Sequence, residues 1–248
     1  MNCSCLLPVY NEASRVKSVL GVLTKVSLIS EIIIVNDGST DNTQQIIEKK
    51  FPQLKLISLP KNQGKASAVK QGLQYIKTSH VLLFDADLKN VKISEINVAI
   101  KLMFNQPRLD MVILKRIHEV DGFLKTLPPI FTKSKFLKNN IISKIAYKAA
   151  CILSGERIIK TKLLKKIFET KINGYCLEVA INQYCQNNNK KVCWVSSSAL
   201  NDFKIKDLGT FGIINKYILM ILSIMSRVGI KHYIHQIRTF CTDECKLN

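Results

Sequence analysis

The chain has 248 residues, of which 47% are hydrophobic and 22% are charged. This composition excludes a disordered chain, and the length suffices for one large α/β domain with a sizeable core. Lysine and arginine outnumber aspartate and glutamate by 37 to 18, which gives a formal net charge of +19. Such a charge favours anionic partners, among them phosphate-bearing ligands, nucleic acid and anionic membranes, without choosing between them.

The eight cysteines are scattered along the chain without a Cys-x-x-Cys pair, and several lie within apolar runs. A free thiol in such a run behaves as a small hydrophobic side chain. The N-terminus lacks a basic region followed by an apolar one, so no signal peptide is expected. Together these features predict a reduced, cytoplasmic protein.

Apolar runs alternate with segments of helical spacing from the N-terminus onward. Strands are predicted at 3–9, 31–36, 54–59, 80–85, 111–115 and 192–195, and helices over 16–26, around 46–47, over 66–76 and over 141–153. Strands separated by helices favour a doubly wound, mostly parallel sheet. In such sheets ligands bind beyond the carboxyl ends of the strands.

The predicted strand at 80–85 ends near two carboxylates, Asp85 and Asp87, that are separated by one residue. Residues two apart in an extended chain project to the same side, so the two carboxylates are expected to lie together. Like charges held this close repel each other, and a cation between or beside them removes the repulsion. A solvated aspartate turn is the alternative if the pair is considered alone.

Other polar segments follow the neighbouring strands and are expected to meet this pair at one edge of the sheet. They are 8–12, 37–41 and 64–65. A carboxylate for a base, a lysine for phosphate and a carboxylate pair for a metal together describe a nucleoside-diphosphate pocket. Gly64 and Lys65 do not form a P-loop, because Leu59 occupies the position where that motif requires its first glycine.

Four segments in this order resemble the successive motifs of glycosyltransferase family 2, whose members have the GT-A fold. They are Leu7-Pro8-Val9-Tyr10-Asn11-Glu12, Ile34-Val35-Asn36-Asp37-Gly38-Ser39-Thr40-Asp41, Asn62-Gln63-Gly64-Lys65 and Asp85-Ala86-Asp87. Within the family the motifs are most similar to those of polyprenyl-phosphate mannosyl- and glucosyltransferases, and less so to glucosyl-3-phosphoglycerate synthases. Each motif alone is weak evidence, whereas four in order are strong evidence.

The resemblance implies an α/β protein with a Rossmann-like, mostly parallel central sheet flanked by helices, followed by a C-terminal helical extension. It implies a nucleotide-sugar-binding half at 1–115, an acceptor-binding half at 116–205 and a helical segment at 206–248. The implied activity is metal-dependent, inverting transfer of a sugar from a UDP- or GDP-sugar to a polyprenyl phosphate, another phosphate-bearing acceptor or a hydroxyl. A retaining transferase similar to glucosyl-3-phosphoglycerate synthase is the alternative within the family.

The resemblance also assigns residues to the donor nucleotide. Pro8, Tyr10 and Glu12 would line the base and ribose, and Asp37 would accept a hydrogen bond from the base. Capping of the following helix is the alternative role for the segment 37–41.

On the diphosphate side, Gly64 and Lys65 would bind the donor, and Lys65 would neutralise the diphosphate. Considered alone, Lys65 is equally typical of a solvated residue at a helix start. Asp85 would contact the ribose or the metal, and Asp87 would coordinate the metal directly and so take part in catalysis. Carboxylate and diphosphate oxygens suit Mg²⁺ or Mn²⁺, which would stabilise negative charge on the departing nucleoside diphosphate.

Two segments of the second half resemble further family motifs. In Ser154-Gly155-Glu156-Arg157 the last three residues would place the donor sugar, with an ordinary glycine turn as the alternative. Gly174-Tyr175-Cys176-Leu177-Glu178 would supply the catalytic base, Glu178, although a glutamate is also favoured at a helix start by the helix dipole. A base matters more for a hydroxyl acceptor than for a phosphate, which is already ionised.

Related enzymes often place a metal-binding histidine after the strand predicted at 192–195. This chain has Asn201-Asp202-Phe203 there, so either Asp202 or water would take that position. Further on, the most apolar segment, 211–227, is interrupted by Lys216 and lacks the ~20 apolar residues of a spanning helix. It is predicted to pack or to form a homodimer, with peripheral contact to the cytoplasmic face of a membrane as the alternative.

Two hypotheses from other classes of protein also explain part of this pattern. A nucleotidyltransferase also binds metal through an aspartate pair, but the segment after the first strand lacks the Gly-rich, Arg- or Lys-bearing signature. A nucleic-acid-binding protein would suit the net charge, but the lysines are dispersed and aromatic residues are only 7%. No nucleic-acid partner is therefore predicted.

Overall fold

The computed structural model describes residues 1–116, 152–170, 177–201, 222, 225–226 and 229–240. The strands are β1 (Cys3–Val9), β2 (Ile29–Asn36), β3 (Lys55–Ser58), β4 (His80–Leu83), β5 (Leu88–Lys89), β6 (Met111–Arg116), β7 (Arg157–Lys160), β8 (Val192–Ser197) and β9 (Leu200–Asn201). The helices are α1 (Val16–Leu23), α2 (Thr43–Lys50), α3 (Lys65–Leu73), α4 (Ile93–Asn105), α5 (Thr161–Ile167), α6 (Leu177–Asn187) and α7 (Ile230–Thr239).

Seven of the described strands form one sheet in the order β3-β2-β1-β4-β7-β6-β8. β7 runs antiparallel to both of its neighbours, and every other pair in this sheet is parallel. β5 and β9 form a separate antiparallel pair. The predicted α/β architecture with a mostly parallel, helix-flanked sheet is therefore confirmed.

The sheet is buried on both faces, which explains why its central strands are continuous apolar runs. Along β2, Ile32 and Ile34 pack into the core on one face, with α1 and α4. Ile33 and Val35 pack into the core on the other face, with α3, α5 and α6. Because successive strand residues point to opposite faces, a run without polar interruption fills both cores.

Pro8 lies in β1 beyond the last residue pair that this strand shares with β4. The carbonyl of Leu6 faces β4 and accepts the N–H of Phe84 at 3.1 Å, so Pro8, two residues on, faces the same way. The β1–β4 pairing ends at Leu6 and Leu83. A missing N–H at Pro8 therefore removes no bond from the ladder.

The structure changes some predicted boundaries. β4 ends at Leu83, two residues before the predicted end, so Asp85 and Asp87 lie on the loop that follows it. Of the helix predicted over 141–153, only residues 152–153 are described, and they are helical. The C-terminal helical extension is represented by α7, whereas residues 211–221 lie outside the described part.

The cysteines agree only in part with the expected reduced state. Cys3, Cys5 and Cys185 are free and buried, as small hydrophobic side chains. Cys193 is disulfide-bonded, which the expectation of a reduced protein did not include. Among the described helices, none has both the length and the apolar character needed to span a bilayer.

Candidate active site

The loops after β1 and β2 are joined by side-chain hydrogen bonds into one unit. Val9 pairs with Asn36 in the parallel register, so the two loops leave the sheet at the same height. Asn11, in the left-handed region with a φ of +55°, accepts the backbone N–H of Thr40 with its Oδ1 at 2.8 Å. The N–H of Asn11 donates to Ser39 Oγ at 3.0 Å. This packing fixes the rim on which Tyr10 and Glu12 lie.

Asp37 fixes a third loop. Its side chain is buried, and its Oδ1 and Oδ2 accept the backbone N–H groups of Gln63 and Gly64, each at 2.8 Å. Gly64 has a φ of +90°, a conformation that side chains other than glycine rarely adopt. The Asp37 carboxylate therefore positions the residue that opens α3, which is Lys65. Its predicted contact with the nucleotide base stays a prediction.

Lys65 lies between two carboxylates that are far apart in the sequence. Its Nζ is 2.5 Å from Asp85 Oδ1 and 2.6 Å from Glu178 Oε1. Burial of the ammonium group would lower the pKa of Lys65, but the charges of Asp85 and Glu178 outweigh burial and raise it. The lysine is therefore held as a cation at the point where the candidate metal ligand and the candidate base meet.

Asp85 and Asp87 differ in how readily they ionise. For Asp85, burial raises the pKa, but Lys65 and Arg116 oppose it and the net pKa is lowered. For Asp87, burial and the charge of Asp85 both raise the pKa. Asp87 thus carries repulsion from Asp85 that the charges of Arg116, Lys65 and Arg15 only partly offset, and a cation beside it would remove that repulsion.

The two aspartates do not complete a metal site by themselves. In the part of the chain with described coordinates, no group of three His, Cys, Asp or Glu side chains is placed to hold an ion. Asp202, the third predicted ligand, lies outside the described residues. Two carboxylates fit Mg²⁺ or Mn²⁺ if the remaining ligands are oxygens of a diphosphate or of water, the usual arrangement for Mg²⁺.

Gly155 lies against the Asp85 carboxylate. A Cβ added at Gly155 would overlap Asp85 Oδ2 and lie 2.7 Å from Asp85 Cγ. The loop 154–156 between the helical residues 152–153 and β7 therefore passes close to Asp85, and its glycine allows that close approach.

We expect Gly155→Ala to displace the Asp85 carboxylate from Lys65. The overlap should lower the free energy of unfolding by about 1–3 kcal/mol, as for other overpacked sites, and weaken nucleotide binding. Gly21→Ala is the matched control, because an added Cβ there meets nothing within 4 Å. In the helix α1 that change should be neutral or stabilising. Equal thermal denaturation curves for Gly155→Ala and the wild type would contradict the assigned contact.

Arg157 is fully buried, so it can act on a ligand only through the residues that it holds. Its Nη1 donates to Asn182 Oδ1 at 2.9 Å and to the carbonyl of Glu178 at 3.4 Å, and its Nη2 donates to the carbonyl of Ser154. The guanidinium thereby joins the loop at Gly155 to the first turn of α6, which carries Glu178.

Glu156 and Arg116 form a buried ion pair near Asp85 and Asp87. Glu156 Oε2 is 3.5 Å from Arg116 Nε and accepts a hydrogen bond from Ser154 Oγ at 3.1 Å. Burial raises the pKa of Glu156 to about 7, against the opposing charge of Arg116. Sequence reasoning missed Arg116. The signal was available, because Arg116 is a charged residue at the end of the apolar strand β6, just as Asp85 follows the apolar strand β4.

The remaining predicted residues lie on the rim formed by the β1 loop. Tyr10 is 42% exposed, Pro8 is half-buried, and Glu12 is paired with Arg15 at 2.6 Å. Burial raises the pKa of Glu12, Arg15 opposes this, and the charge of Asp87 adds to it. Because the charge of Asp87 acts on Glu12, the rim formed by the β1 loop lies near the candidate metal ligands.

A family model described as glycosyl transferase family 2 matches residues 4–168 of the chain. This range is more than half of the 248 residues and contains the loops that hold Asp37, Lys65, Asp85 and Gly155. The chain belongs to glycosyltransferase family 2. The predicted family is thereby confirmed, while Glu178 lies beyond the range matched by the family model.

Curated relatives of this family 2 protein match part of its chain. It is 32% identical over 127 residues to a dolichyl-phosphate β-glucosyltransferase of Trichomonas vaginalis, a match over 46% of this chain and 38% of that protein. It is 42% identical over 87 residues to a poly-β-1,6-N-acetyl-D-glucosamine synthase of Staphylococcus epidermidis, over 34% of this chain and 21% of that protein. The matches thus span less than half the length of either relative.

A solved structure supports the fold of this family 2 protein over nearly its whole length. A glucosyl-3-phosphoglycerate synthase from Mycobacterium tuberculosis, in complex with Mn²⁺, UDP and glucosyl-3-phosphoglycerate, superposes with a TM-score of 0.65. The superposition covers 96% of this chain and 80% of that one, at 19% sequence identity. The likeness confirms the GT-A fold predicted from the motifs.

Proposed function

We propose that this protein transfers a sugar from a nucleoside diphosphate sugar to an acceptor in a metal-dependent reaction that inverts the anomeric configuration. One observation carries the proposal: Lys65 lies within 2.6 Å of both Asp85 and Glu178. The site thus brings together a cation that can bind a diphosphate, Lys65, a carboxylate that can bind a metal, Asp85, and a carboxylate that can accept a proton, Glu178. It lies at the carboxyl edge of a mostly parallel sheet, where ligands of such folds bind.

The donor side is assigned to the loops of the first half. Lys65 would neutralise the diphosphate, while Asp85 and Asp87 would hold Mg²⁺ or Mn²⁺. A bound ion would supply Lewis-acid stabilisation of the charge that develops on the leaving nucleoside diphosphate. The metal and a UDP-sugar donor are supported by the family 2 membership and by the structural neighbours, which hold Mn²⁺ with UDP or UDP-glucose, or Mg²⁺ with UDP.

The acceptor side is assigned to Glu178. In an inverting transfer a carboxylate takes the proton of the acceptor as it attacks the anomeric carbon. Because a phosphate is already ionised, a carboxylate placed in the site favours a hydroxyl acceptor. A polyprenyl phosphate is the second candidate, because dolichyl-phosphate β-glucosyltransferases of Trichomonas vaginalis and Saccharomyces cerevisiae are among the relatives.

We infer that α7 contacts a second copy of the chain or, alternatively, a membrane surface. The support is the exposure of two apolar side chains four residues apart on α7, Ile230 and Ile234, beside the exposed Lys231. An apolar row flanked by a cation suits either an apolar interface or an anionic bilayer surface.

The proposal is tested by incubating the purified protein with UDP- and GDP-sugars and an acceptor panel of simple alcohols, sugars, phosphoglycerate and a short polyprenyl phosphate. We expect release of nucleoside diphosphate that requires Mg²⁺ or Mn²⁺ and stops with a chelator. The anomeric configuration of the product, determined by NMR, should be opposite to that of the donor. In a parallel incubation with nucleoside triphosphates and sugar phosphates, release of pyrophosphate would instead indicate a nucleotidyltransferase. A product with the donor's configuration would contradict inversion.

A further inference from the structure

Lys65 has two partners that the proposed reaction needs for other purposes. Its Nζ contacts Asp85 Oδ1 at 2.5 Å and Glu178 Oε1 at 2.6 Å. The ammonium group occupies one oxygen of each carboxylate. A metal at Asp85 would repel this cation, and a donor diphosphate would attract it. Both interactions favour movement of the Lys65 side chain away from the two carboxylates.

Only the side chain of Lys65 has to move. Its backbone is fixed at the first residue of α3, because Asp37 holds the preceding Gly64 at 2.8 Å. The lysine side chain is flexible along its four-carbon stem and is 28% exposed, so its ammonium can reach a ligand at the rim. A diphosphate is the anion in the proposed reaction with enough charge to compete for it.

We propose that Lys65 is a positioning residue that holds Glu178 until the sugar donor arrives, and that the donor diphosphate releases Glu178 by drawing the lysine away. This inference rests on the proposed function and adds an order to it: donor and metal bind first, and only then does Glu178 accept the acceptor proton. It also means that Lys65 and the metal compete for Asp85.

The competition predicts a measurable effect on metal binding without any nucleotide. In Lys65→Met, Asp85 and Glu178 lose the cation that lies between them. Mn²⁺, measured by electron paramagnetic resonance, should then bind about tenfold more tightly than to the wild type, the order expected for removing one adjacent charge from a partly exposed site. UDP binding should weaken in the same variant, because the diphosphate loses its cation.

Lys65→Arg is the matched control, because it keeps the positive charge. Its affinity for Mn²⁺ alone should stay close to that of the wild type, so the pair of variants separates charge competition from loss of packing. Lys65→Gln repeats the measurement with a second neutral side chain should Lys65→Met fail to fold, which thermal denaturation reports.

The outcomes distinguish this inference from the function on which it rests. Tighter Mn²⁺ binding in the neutral variants and not in Lys65→Arg supports it. Equal or weaker Mn²⁺ binding in the neutral variants, or tighter binding in all of them, overturns it and leaves the proposed function intact. If the wild type binds neither Mn²⁺ nor UDP, the proposed function itself is wrong.

Discussion

Replacing Asp87 with asparagine is expected to remove most of the sugar-transfer activity while raising the melting temperature of the protein measured without metal or nucleotide. The activity falls because an amide is a weaker metal ligand than a carboxylate. If the ion contributes several kcal/mol to the transition state, its loss lowers the rate about 10²- to 10³-fold or more. UDP binding in the presence of Mn²⁺, measured by calorimetry, should weaken in parallel.

The gain in stability follows from the direction of the Asp87 pKa. Burial and the charge of Asp85 raise that pKa, so at neutral pH the ionised carboxylate destabilises the folded state. Removing the charge relieves the repulsion. The difference in melting temperature from the wild type should grow as the pH rises from about 3.9, the usual aspartate pKa, through the raised value in the folded protein. Below that range both side chains are neutral and the difference should vanish.

Asp41→Asn is a control for which we expect the opposite change in melting temperature. Burial raises the pKa of Asp41, but hydrogen bonds from Thr43 and Ala13 outweigh it and lower the pKa, so the ionised form stabilises the fold. The same chemical change should therefore lower the melting temperature at Asp41 and raise it at Asp87. A fall at both positions would contradict the repulsion at Asp87, and full activity in Asp87→Asn would contradict its role as a metal ligand.

Replacing Glu178 with glutamine is expected to lower kcat by about 10²- to 10⁴-fold, the usual contribution of a general base. The KM for the donor should not rise, because the diphosphate then competes for Lys65 with one carboxylate, that of Asp85, and no longer with two. Steady-state kinetics with a hydroxyl acceptor separates these two effects.

Glu169→Gln is the control for Glu178→Gln, because Glu169 is exposed beyond the end of α5 and should leave both constants unchanged. A loss in Glu178→Gln of less than tenfold would show that proton removal is not limiting. That result would favour the second candidate, an ionised polyprenyl phosphate, as the acceptor.

Sequence reasoning succeeded where a continuous apolar run marked a buried strand. The run 31–36 predicted a strand buried on both faces, and β2 has residues in both cores. The rule for carboxyl ends of parallel strands brought Lys65 and Asp85 to one site, and the structure pairs them at 2.5 Å. Reasoning failed for Arg157, which was assigned to the donor sugar and is fully buried, because a residue type does not indicate whether its side chain reaches the surface.

The sequence by itself determined six of the seven strands of the large sheet, the order of the loops and the kinds of polar side chain that each loop carries. Hydrophobic periodicity and turn chemistry act over a few neighbouring residues, which is why these features can be predicted. Only the tertiary structure decided which of these side chains share a partner. Asp37 binds the backbone of a loop 26 and 27 residues away, and Lys65 binds Glu178 at a separation of 113 residues. Such contacts depend on how the loops and α6 pack around the finished sheet, and no spacing along the chain encodes that packing.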